Sequence, residues 1–141
     1  MKNIDIEKLE LGRELDRLVA EKVLGWRCDL APYRNKGVQW CWIDADNNVI
    51  DFAGVKGDDA TENDALPEFS TNIADTQIVV EYLAHKYQWV NVCFRPDNVE
   101  RYECKVDYSY DGLATHVVYA DTASLAICRC ALLVYKERIN D

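Results

Sequence analysis

The residue types best suited to chemistry concentrate between Trp26 and Trp42, where Arg27, Arg34 and Lys36 gather beside Tyr33, Trp40 and Trp42 in an otherwise acidic chain. Aromatic faces stack on bases, and guanidinium and ammonium groups pair with phosphates, so this mixture suits a nucleotide-like anion. Arg27, Tyr33, Arg34, Lys36, Trp40 and Trp42 are therefore the candidate ligand-binding residues. A structural use competes with that reading. Trp40 and Trp42 stand two positions apart and share one strand face, where tryptophan is ordinarily buried.

Other reactive residues form no recognisable set. His85 falls on the polar flank of a helix and His116 sits in a strand beside Thr115, with no Ser, Cys or Asp in a known catalytic context. Either could act as a general base in a folded cleft. Asp44-Ala45-Asp46-Asn47-Asn48 imitates the start of a calcium loop, but Val49 and Val55 occupy the positions of the mid-loop glycine and the closing glutamate. It reads as a turn. Cys128 and Cys130 would sit about 200° apart around a helix, on opposite faces, and so make no metal half-site. A site drawn from Cys28, Cys41 and a histidine lacks ligand spacing. Gly54 and Gly57 lack the following lysine and helix of a phosphate loop. These residues imply no catalytic group, metal or cofactor.

A chain of 141 residues fits one domain, here 1–141, that buries roughly 68–70% of its unfolded surface without disulfides. The net charge of −9 disfavours duplex nucleic acid and anionic membrane surfaces, which it repels. Met1-Lys2-Asn3-Ile4-Asp5 lacks the apolar core of a signal peptide, and no run approaches a membrane span. The expected location is a cell's cytoplasm. In that setting Cys28, Cys41, Cys93, Cys104, Cys128 and Cys130 read as reduced core residues.

Several elements must position these groups. Leu11, Leu15, Leu18, Val19, Val23 and Trp26 recur at helical spacing, so the first helix ends near Gly25. Val38 to Asp44 and Val49 to Phe52 flank turn-forming residues and predict a hairpin. Gly54 to Glu68 has no periodicity and reads as a long acidic loop. Ser70-Thr71 caps a second helix carrying Thr76, Val79, Val80, Leu83, Ala84 and Tyr87 on one stripe. Trp89 to Arg95 is a strand, Pro96-Asp97-Asn98 a turn, and Tyr102 to Tyr110 a second strand whose aromatic and apolar residues alternate with charged ones. Asp111-Gly112 turns the chain into a strand from Thr115 to Ala120. The last helix, Thr122 to Ile139, has only Arg129 as a polar residue between Leu125 and Tyr135. It must be covered on several sides, by its own fold or by another subunit.

The expected fold is α+β, a mainly antiparallel sheet of about five strands sandwiched by three helices in the order α-β-β-α-β-β-β-α. Three stretches, Leu11 to Asp16 running on to Val23-Leu24-Gly25-Trp26, Pro67 to Ile73, and Thr122 to Leu133, together resemble the phage ABA sandwich domain family. The resemblance implies an intracellular phage or prophage domain with a sheet between helical layers and no established catalytic residues. One departure stands out, since the charged face of residues 101–109 looks solvated and leaves the sandwich incomplete there.

The leading functional expectation is a non-catalytic protein of the host cell cytoplasm. It would bind a host protein or a small anionic ligand, such as a nucleotide-derived immune signal, as a homo-oligomer formed through its last helix. The alternatives are a small hydrolase using His116 or His85 with a carboxylate of the acidic loop, and an assembly module without a ligand.

Overall fold

The computed structural model describes residues 9–32, 37–52, 66–87, 89–94, 99–107 and 115–139. Helix α1, Arg13–Leu18, continues into one π turn, Val19–Val23. Leu15, Val19, Ala20 and Val23 face the core. Gly25, at φ 72°, adopts the left-handed conformation that ends the helix and costs any other residue strain.

Three strands follow: β1 Arg27–Pro32, β2 Val38–Ile43 and β3 Val49–Phe52. Strand β1 is an addition to the sequence reading. Its sequence, Arg-Cys-Asp-Leu-Ala-Pro, has no β-branched residue and ends in proline, so its propensity signal is weak. It is a strand because it pairs antiparallel with β2, from Arg27 opposite Ile43 to Pro32 opposite Val38. Strands β2 and β3 form the expected hairpin, with a register shift at Trp42/Ile43.

Helix α2 spans Ile73–Lys86 and buries Thr76, Val79 and Leu83 on the predicted stripe. Its cap differs from the expectation. Asn72, not Ser70 or Thr71, accepts hydrogen bonds from the Ala74 and Asp75 amides. Strands β4 Trp89–Phe94, β5 Tyr102–Asp107 and β6 Thr115–Ala120 then form a second antiparallel sheet with β5 in the centre. Helix α3, Ala123–Ile139, closes the order, with the Thr122 hydroxyl accepting the Leu125 amide.

The architecture is α+β with three helices, as expected, but the single five-stranded sheet is not formed. Two three-stranded antiparallel sheets, β1-β2-β3 and β4-β5-β6, take its place. The turns at 95–98 and 111–112 and the residues Tyr108 and Tyr110 lie outside the described residues.

Helix α3 explains the packing. It lies against β5, β6, α2 and the π turn, and Ser124 to Leu132 are all buried. The cover that its all-round apolar surface requires is supplied by its own chain. Cys128 and Cys130 are both buried although they point to different sides, because the helix is enclosed on more than one side. The β4-β5-β6 sheet presents Cys104, Val106, Val118 and Ala120 to that core. Its other face carries Asn91, Glu103, Lys105, Val117 and Tyr119, all exposed or half-exposed, as the charge alternation predicts.

Candidate functional site

Two regions hold side chains capable of chemistry. The first is a buried polar cluster that ties together the three stretches singled out in the sequence. The Asp16 carboxylate is fully buried, accepts the Ser70 amide at 2.7 Å and pairs with the Arg13 guanidinium at 3.1 Å. Arg13 also donates to the carbonyls of Leu66 at 2.7 Å and Pro67 at 3.4 Å. The Ser70 hydroxyl accepts the Gly12 amide at 2.9 Å and lies 3.2 Å from the Gly12 carbonyl. Farther in, the Thr76 hydroxyl sits 2.6 Å from the Phe69 carbonyl and 2.8 Å from the Ser124 hydroxyl. Arg129 donates through Nε and Nη2 to the Leu9 carbonyl at 2.8 and 2.6 Å.

Serine, aspartate and arginine in one buried place invite a catalytic reading. Geometry answers it, because each of these polar groups is already engaged by backbone or a neighbouring side chain that must be held for the chain to fold. Ser70 lies between the amide and carbonyl of Gly12, and Asp16 accepts from Ser70 and Arg13. The cluster is a latch between α1, the segment before α2, and α3. Its signal in the sequence was three consecutive cap-capable residues, Ser70-Thr71-Asn72, of which one cap uses only the last.

The second region is the β1-β2 hairpin, which holds the candidate ligand residues. Directly paired residues project to the same side of an antiparallel pair. Cys28 with Trp42, Leu30 with Trp40, and Pro32 with Val38 therefore form one apolar row. Burial falls away along it. Trp42 is 0% exposed, with the Arg17 guanidinium 5.7 Å from its ring centre, whereas Trp40 is 37%, Leu30 51% and Val38 59% exposed. Arg27 pairs with Ile43 and lies on the opposite side from Trp40 and Trp42.

The predicted six-residue set is thus divided. Trp42 belongs to the core, Arg27 and Trp40 are exposed on opposite faces, and Tyr33, Arg34 and Lys36, between β1 and β2 in the sequence, lie outside the described residues. The alternate-tryptophan reading was right in one half only: a shared strand face settles direction, but just the end of that face bearing Trp42, beneath Arg17, is enclosed.

Other candidates resolve structurally. The Asp44 carboxylate accepts the amides of Asp46 at 2.9 Å and Asn48 at 2.8 Å, while Asn47 takes φ 68°, so the calcium-loop imitation is a turn. Cys28 and Cys41 project to opposite faces of their sheet, and none of the six cysteines is in a disulfide. A hydrogen bond to Cys130, reinforced by burial, pushes the Cys104 thiol far above its ordinary value, and burial with the nearby Asp16 charge does the same for Cys128. Both stay as neutral thiols, the wrong state for a nucleophile or ligand. His85 is exposed in the last turn of α2, and β6 sets His116 opposite Val106. The acidic loop that would supply a carboxylate lies, from 53 to 65, outside the described residues. Among the described residues no three His, Cys, Asp or Glu side chains cluster as a metal site requires.

Comparison with known families matches residues 17–132 to the phage ABA sandwich domain. The chain belongs to that family. The matched span takes in all six strands, α2 and most of α3, so the phage ABA sandwich domain covers both sheets and most of the latch. No curated protein and no solved structure matches the chain. Among the described residues, no helix of this phage ABA sandwich domain is long and apolar enough to cross a membrane.

Proposed function

We propose that this phage domain is a non-catalytic binding protein whose contact element is the β1-β2 hairpin, and that it docks on a protein of the infected host. The observation that carries the reading is the half-exposed row Leu30, Val38 and Trp40, which continues a buried row past the edge of its helical cover. Rigid apolar and aromatic side chains on a paired backbone make economical anchors, since little entropy remains to be lost on docking. Arg27, Arg34 and Lys36 cluster around these residues in the sequence, in a chain of net charge −9, which favours a partner with an acidic rim.

The test is capture of host proteins by the wild-type chain and by Leu30→Asp/Val38→Asp, both confirmed as folded by circular dichroism. A host protein that is retained by the wild type, lost by the variant and bound directly once purified supports the reading. Equal retention by both chains overturns it.

The exposed indole of Trp40, close in sequence to Tyr33, Arg34 and Lys36, favours a second reading in which the hairpin stacks a nucleotide-like anion. A thermal shift with cyclic or adenine nucleotides that disappears in Trp40→Ala supports it, and no shift at millimolar ligand removes it.

A further inference from the structure

The outer face of the β4-β5-β6 sheet is a different surface from the hairpin, and its pattern is self-complementary. Two rows cross it. One carries Cys93, Glu103 and Tyr119, and the next carries Asn91, Lys105 and Val117. Val117 and Tyr119 are 40% and 42% exposed, and the central Glu103 and Lys105 are half-buried. We propose that this face is where two copies of the chain associate.

The charge order selects the geometry. Facing sheets pack about 10 Å apart and can be related by a two-fold axis either along the strands or across them. An axis along β5 sets Glu103 over the partner's Glu103 and Lys105 over the partner's Lys105, which is repulsive on both counts. An axis across the strands, passing between the two rows, reverses each strand over its own copy. Glu103 then meets the partner's Lys105, Tyr119 packs on the partner's Val117, and Cys93 lies over the partner's Asn91. Only the second arrangement pairs opposite charges at the centre and apolar groups along β6.

Three strands about 4.8 Å apart and six residues long form a small patch, so the association is reversible and in the micromolar range or weaker, not obligate. Opposite charges at its centre set register and exclude the wrong pairing more than they add affinity.

The experiment is sedimentation velocity over a concentration series reaching about 1 mM, where a Kd of that order is still visible. The wild type is expected to shift from monomer toward dimer. Glu103→Lys and Lys105→Glu each bring two like-charge contacts into the dimer and are expected to weaken it about tenfold or more. The double swap Glu103→Lys/Lys105→Glu restores it. A wild type that stays monomeric throughout, single swaps that dimerise like the wild type, or a double swap that stays monomeric while folded overturns the proposal. Leu30→Asp/Val38→Asp is expected to dimerise normally, which separates this surface from the hairpin reading.

Discussion

The two sheets have the same size and the same antiparallel order, yet they are held in different ways. The β4-β5-β6 sheet turns one face toward α3 and α2, where Cys104, Val106, Val118 and Ala120 reach the core, while Val92 and Phe94 on the β4 edge of that face stay exposed. Among the described residues, the β1-β2-β3 sheet is buried at the end bearing Cys41, Trp42 and Ile43, with Trp42 under Arg17 and the adjoining Trp26 meeting the Phe69 ring edge-on at 5.6 Å. Strand sequence alone does not separate these cases. What separates them is how far a helix extends over each face.

The largest expected effect tests that difference inside a single strand. Trp42→Ala should destabilise the fold by about 3–5 kcal/mol through lost burial and a cavity, whereas Trp40→Ala, two residues away on the same face and only part-buried, should cost about 2 kcal/mol or less. Urea unfolding of the two variants measures the gap, and equal costs would show that the hairpin is covered along its whole length.

Next comes the latch that supports the second sheet's helical cover. Asp16→Ala removes the buried acceptor of the Ser70 amide and the partner of the part-exposed Arg13, and should cost about 2–3 kcal/mol. Its effect on the midpoint should exceed that of breaking the exposed Arg17–Glu21 pair with Glu21→Ala, which should stay within about 0.5 kcal/mol.

The smallest effect is graded with pH. Cys104 and Cys128 hold their protons more tightly folded than unfolded, where a thiol has a value of 9.0. A raised folded value means that their stabilisation is complete below pH 9 and is lost as the pH climbs above it. Each thiol then contributes a slope of up to about 1.4 kcal/mol per pH unit. Cys128→Ala should flatten the stability curve above pH 9. Identical slopes above pH 9 in the wild type and Cys128→Ala would remove the buried-thiol argument.

Much of this was legible in the sequence. Helical spacing placed α1, α2 and α3 within a few residues of their observed ends, and period-two alternation found β5 and the solvated face that it turns outward. The Asp44 turn and the all-round burial of α3 were equally readable, because each follows from contacts close in sequence or from composition on every side of one helix. The family match likewise confirmed a resemblance carried by local stretches.

Long-range geometry decided the rest. Strand β1 has no propensity of its own and exists because β2 offers it an edge, so no local window could reveal it. Ser70 looks like a cap until the fold brings Gly12, 58 residues away, against its hydroxyl. The candidate ligand set shows the same limit. Residue type named Arg27, Trp40 and Trp42, and strand alternation gave each a side, but tertiary packing decided that Trp42 is enclosed and Trp40 is left exposed. Periodicity reports which way a side chain points, and burial depends on what the rest of the chain brings to that side.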